Sequence, residues 1–142
     1  MKEKAIELFR NEINCAQSII TALKDKYGLD EEIALRVSAG FGGGFGKKQL
    51  ACGAMTGGIM ALGLRFYKKE RHAQSKPLVY EKTKKLVNAF ESHFGCTTCR
   101  ELLGVDVNTE TGKKTMKEYN YRETKCERYI AFVMEYLDEN LD

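Results

Sequence analysis

The apolar positions of the first twenty-seven residues fall on one helical stripe. Ile6, Phe9, Ile13, Ala16, Ile20, Leu23 and Tyr27 recur at steps of three and four. This spacing predicts one amphipathic helix over 2–27, ended by Gly28 as a left-handed C-terminal residue. Cys15 falls beside the stripe, near Leu8, Ile19 and Ala22, at the edge of the core. Asp30 is placed to cap a second helix to about Ser38, with Ile33 and Val37 facing inward and Gly40 ending it. Glu31 and Glu32 suit the positive end of that helix.

The pattern then breaks at GFGGGFG, residues 40–46, where five of seven residues are glycine. Such a segment predicts a loop with unusual dihedrals or close backbone approach. A third helix follows from about Lys48 to Lys69, containing Cys52, Gly53, Gly57, Gly58 and Gly63. Each interior glycine costs roughly 1 kcal/mol relative to alanine. Close approach of a neighbouring backbone or a bound group is the expected offset. Pro77 suits the first turn of a fourth helix, whose apolar face is Val79, Leu86, Val87, Phe90 and Phe94, with Gly95 as its stop. Next comes Cys96-Thr97-Thr98-Cys99, then a short helical segment closed by Gly104. Residues 105–118 read as an exposed loop. A last helix covers about 120–138, with Cys126, Ile130, Val133 and Leu137 on one face and Tyr129 and Tyr136 flanking. No stretch alternates as a strand does. The expected fold is all-α: one compact domain over residues 1–142, a bundle of about five helices.

Composition narrows the functional classes. The chain has 142 residues, with 43% hydrophobic and 30% charged positions and a net charge of +3. The basic residues are dispersed among acids, so no nucleic-acid partner is expected. No apolar run approaches a bilayer's span, and MKEKAIELFRNEI is too densely charged for a secretory signal. No membrane insertion and a cytoplasmic location are the expectation. The glycine loop is not a phosphate-binding P-loop, because Phe41 and Lys48 stand where glycine and serine or threonine are required. No strand flanks it, so a dinucleotide fingerprint fails too. Asp106, Asn108 and Glu110 begin like a calcium loop, but Thr111 occupies the glycine position. Cys99 is followed by Arg100, not histidine, which removes a haem-attachment motif. Neither nucleotide nor haem is expected.

Five cysteines remain to be explained. In a reducing compartment, clustered cysteines serve more often as metal ligands or redox thiols than as structural disulfides. The thiolate is both a nucleophile and a soft metal ligand. Cys52 opens the glycine-rich helix near Lys47 and Lys48, where the helix dipole is expected to lower its pKa. Cys52 and Cys99 are therefore the candidate catalytic thiols. Cys126 lies in an ordinary core stripe and Cys15 at a core edge, positions that a small buried hydrophobe also fills. His93, three residues before Cys96, reads as a partly exposed histidine near a helix end.

The glycine loop, then Cys52-Gly53-Ala54-Met55-Thr56-Gly57, then Cys99-Arg-Glu-Leu-Leu-Gly104, resembles the CGAxxG family of redox-active proteins, C_GCAxxG_C_C. The resemblance covers essentially the whole chain. It implies a four-cysteine site of Cys15, Cys52, Cys99 and Cys126, with Cys96 as an addition. The chain is also similar to part of the split-Soret cytochrome c proteins, which are linked to an iron–sulfur centre, but it lacks their haem motif. Three chemistries stay open for those four residues. They could hold an iron–sulfur or other metal centre for electron transfer or sensing. They could work without metal as a dithiol/disulfide couple. They could bind zinc as a structural or binding module. The partner is an unidentified redox protein, enzyme activity is left open, and a homodimer is expected.

Overall fold

The computed structural model describes all 142 residues, and it is all-helical. There are eight α-helices rather than five: α1 (Lys2–Arg10), α2 (Cys15–Ala22), α3 (Glu31–Ser38), α4 (Gly53–Phe66), α5 (His72–Phe94), α6 (Cys99–Leu103), α7 (Glu110–Glu118) and α8 (Glu127–Asn140).

The helix expected over 2–27 is two helices. The chain turns at Glu12, which has φ 72°, and restarts at Asn14. Asn14 accepts from the Gln17 amide while the Gln17 side chain accepts from the Asn14 amide, a reciprocal capping box. The apolar stripe survives because α1 and α2 still face one core. Arg10 makes a bidentate pair with Glu127, at 2.9 and 2.8 Å, tying α1 to α8.

The core lies where α2 and α5 flank α4 and where α8 closes against α1 and α4. Ile19, Leu62, Leu86, Phe90, Ile130, Val133, Met134 and Leu137 are among its buried members. Glycine lets α4 sit this close to its neighbours. A Cβ on Gly57 would lie 2.9 Å from Ile19 Cβ, and one on Gly58 would lie 2.7 Å from Val133 Cγ1. Gly63 meets nothing within 4 Å, so close packing does not explain it.

Other boundaries differ from expectation for local reasons. α4 begins at Gly53, not Lys48, because left-handed backbone occupies the preceding segment. α5 begins at His72, so Pro77 lies inside it. Ile33 and Val37 do not face inward. They are 49% and 55% exposed, and α3 buries Ala34 and Ser38 instead. The expected loop 105–118 contains α7, capped by the Thr109 hydroxyl on the Gly112 amide. α8 is entered through a π-helical turn, Arg122–Cys126. No helix is long and apolar enough to cross a membrane.

The glycine segment is unusual. Gly43, Gly44, Phe45, Gly46 and Lys47 all have positive φ, from 59° to 67°. L-residues visit this region singly as a rule, and runs of it need glycine. Hydrogen bonds from Gly46 to Gly40 O, Gln49 to Gly43 O and Leu50 to Gly44 O, at 2.9–3.0 Å, close the left-handed coil.

Candidate functional site

Four local devices bring four cysteines to one place. Cys15 is the first residue of α2, fixed by the Asn14 cap. Cys52 is the N-terminal boundary residue of α4. Cys99 opens α6, where the Thr98 hydroxyl accepts from the Glu101 amide. Cys126 ends the π turn that leads into α8.

Cys52 and Cys99 are stapled together through backbone. The Cys52 amide donates to Thr97 O at 2.9 Å, and the Cys99 amide donates to Leu50 O at 2.7 Å, around an isolated bridge between Ala51 and Thr98. Gln49 locks the next layer. Its side-chain amide donates to Val105 O at 2.9 Å and its carbonyl accepts from the Val107 amide at 3.0 Å. The same nitrogen reaches Cys99 Sγ at 3.9 Å. Gln49 is 4% exposed, and nothing in the sequence marked it.

Cys15, Cys52, Cys99 and Cys126 line one small cavity of about 20 Å³, together with Gly44, Gly53, Leu102, Leu103 and Tyr129. The space suits about one water-sized guest. All five cysteines are free thiols. Cys96 lines neither this cavity nor a larger one beside it. It is half-buried against the core edge. His93 stacks on Phe132 at 4.8 Å between centroids and takes no part in the cavity.

Burial governs the electrostatics. It pushes every one of the four thiols above its ordinary pKa: Cys99 to about 11, Cys126 to about 12, Cys15 upward, and Cys52 well upward. The thiols also oppose one another's ionisation. Cys15 acts on Cys52, Cys99 and Cys126, so it stands at the hub of the group. The helix-start amides of Met55 and Ala54 pull Cys52 down, as the sequence suggested, but desolvation outweighs them. The expected low pKa of Cys52 is therefore corrected: at 5% exposure, loss of water dominates the dipole. Arg122 also favours the thiolates of Cys15 and Cys126, while donating to Phe9 O at 2.9 Å and lying 3.8 Å over the Phe9 ring. Tyr129 donates to Leu102 O at 3.0 Å, and burial beside these thiols pushes its phenol to about 12.

The donor set is soft and suits thiophilic metals. No three histidine, cysteine, aspartate or glutamate side chains converge closely enough to hold a single ion. The thiols surround a space rather than a point.

The C_GCAxxG_C_C family model, described as "Putative redox-active protein", matches residues 13–140. The chain belongs to the C_GCAxxG_C_C family. The matched span includes all four cavity cysteines and leaves out only residues 1–12, which hold α1, and the last two residues. Comparisons with curated proteins and with solved structures each gave no match.

Proposed function

We propose that this C_GCAxxG_C_C protein is a redox protein whose working part is a metal–thiolate centre, of iron–sulfur type, held by Cys15, Cys52, Cys99 and Cys126 and used for electron transfer or sensing. One observation carries the reading. Four thiols from four separate segments line a single cavity, and each is disfavoured as a free thiolate by burial and by the others. A bound cation is what reverses that balance, since coordination deprotonates a thiol outright. A site built for disulfide exchange needs the opposite, an accessible thiol with a usable thiolate fraction.

The spacing favours a cluster over a lone zinc. In a cluster the thiolates bind different metal atoms, so they need not meet at one point. The 20 Å³ cavity must widen to take one, and Cys15, Cys99 and Cys126 also border the larger cavity, where there is room. A metal-free couple is the second reading. It is favoured by the closeness of the Cys15 sulfur to Gly53, the neighbour of Cys52: a partner disulfide would take up two electrons and two protons to become two thiols as Cys15 and Cys52 form one disulfide. Protein purified without oxygen decides between them. The cluster reading predicts a brown protein with iron and acid-labile sulfide in comparable amounts. Colourless, metal-free protein that forms a disulfide reversibly would support the couple instead.

A further inference from the structure

A second cavity, of about 830 Å³, opens on the outer side of the cysteine site. Cys15, Cys99 and Cys126 form part of its floor. Its roof is one face of α7 and the turn after it: Lys113, Met116, Lys117 and Asn120 follow at steps of three, one and three, so all four lie on one side of the helix. Lys47, from the left-handed glycine coil, and Arg122 complete the cationic lining. Four basic side chains and no carboxylate face this space, in a chain with 23 basic and 20 acidic residues.

The lining is not explained by the thiols or by ion pairing. Of these four cations only Arg122 acts on the cysteines. Lys113 has a partner in Glu110 at 3.7 Å, whose side chain is 95% exposed and is held loosely at best. Lys47, Lys117 and Arg122 have no carboxylate partner. α7 itself buries only Gly112 and makes only slight contact with the other helices. A nine-residue helix is marginal alone and draws its stability from what it packs against. What α7 faces is the cavity.

We propose that this cavity binds a small organic anion, a phosphate or carboxylate group on an apolar body, between α7 and the cysteine site. The anionic group pairs with Lys113, Lys117 and Lys47, and the apolar body lies against Phe9 and Met116. Such a volume is that of a small-molecule site. Bound there, the anion covers Cys99 and Cys126 and gives α7 a surface to pack on. The proposal rests on the cysteine site being the redox centre, and it names the class of molecule brought to that centre.

Calorimetric titration of the protein as isolated tests this, with phenyl phosphate and benzoate as probes and neutral benzyl alcohol as the control. One site for at least one of the two anions is expected, with no comparable heat from benzyl alcohol. Which anion binds more tightly distinguishes phosphate from carboxylate. Lys113→Gln with Lys117→Gln should weaken binding about tenfold or more. Lys69→Gln with Lys84→Gln, equal in charge but outside the cavity, should leave it unchanged. Absence of binding at millimolar probe, equal binding of benzyl alcohol, or indifference to the Lys113/Lys117 pair would overturn the proposal. Redox titration of the same samples keeps the two readings apart. A site that cycles without binding either anion loses this inference alone, and a site that binds without cycling loses the redox reading alone.

Discussion

Gly53 lies so close to Cys15 that a Cβ at position 53 would fall 2.5 Å from the Cys15 sulfur. It would also sit 3.1 Å from Phe41 O and 3.3 Å from Ala16 N. The glycine of the CGA motif is thus a packing requirement of the cysteine site. Gly53→Ala should destabilise the protein by about 1–3 kcal/mol through overpacking, despite alanine's better helix propensity. Gly63→Ala, in the same helix with nothing within 4 Å, should stabilise it by about 0.5–1 kcal/mol. Urea denaturation of both variants checks the pair, and equal effects would contradict the packing account.

Alkali should unfold the reduced, metal-free protein. Each cavity thiol has a folded pKa raised above its unfolded value, which is near 9. Below pH 9 the thiols are protonated in both states and their contribution to folding is fully present. Above it the unfolded chain releases protons that the folded chain keeps, so stability falls as pH rises. The fall should run from about pH 9 through the values of Cys99 and Cys126, about 11 and 12. Thermal melts across this range, compared with Cys126→Ala, measure it. A variant whose alkaline loss is as steep as the parent's would count against buried neutral thiols.

Alkylation should follow exposure, not helix position. In reduced, metal-free protein Cys96, half-buried at the core edge, should react with iodoacetamide well before Cys52. Cys52, the buried cysteine, should react last. Peptide mass mapping over time gives the order. Early labelling of Cys52 would mean that its thiolate is more available than burial allows.

Much of the fold was legible in periodicity and punctuation. The stripe of Ile130, Val133 and Leu137 is the buried face of α8, Asp30 caps α3, and Gly95 and Gly104 are left-handed stops. The break at Asn14 was missed because the stripe runs through it. Its signal was present as Asn14-x-x-Gln17, a capping-box spacing that periodicity overrode. α7 was missed because it buries no apolar face: Gly112 is its one buried residue. The left-handed coil is closed by bonds six residues apart, a pattern that neither helical nor strand periodicity reports, and the buried Gln49 depends on long-range hydrogen bonds that local sequence does not encode. The pKa of Cys52 was misjudged for a related reason: the dipole can be read locally, but burial is a property of the whole fold.

Reconstitution of single serine variants with iron and sulfide under anaerobic conditions tests the central claim most directly. Visible absorption and iron content are read for Cys15→Ser, Cys52→Ser, Cys99→Ser, Cys126→Ser and Cys96→Ser. The four cavity variants should each lose or destabilise the cluster, while Cys96→Ser should load like the parent. A parent protein that takes up no iron, or a set in which Cys96→Ser fails and a cavity variant loads normally, would contradict a centre held by Cys15, Cys52, Cys99 and Cys126.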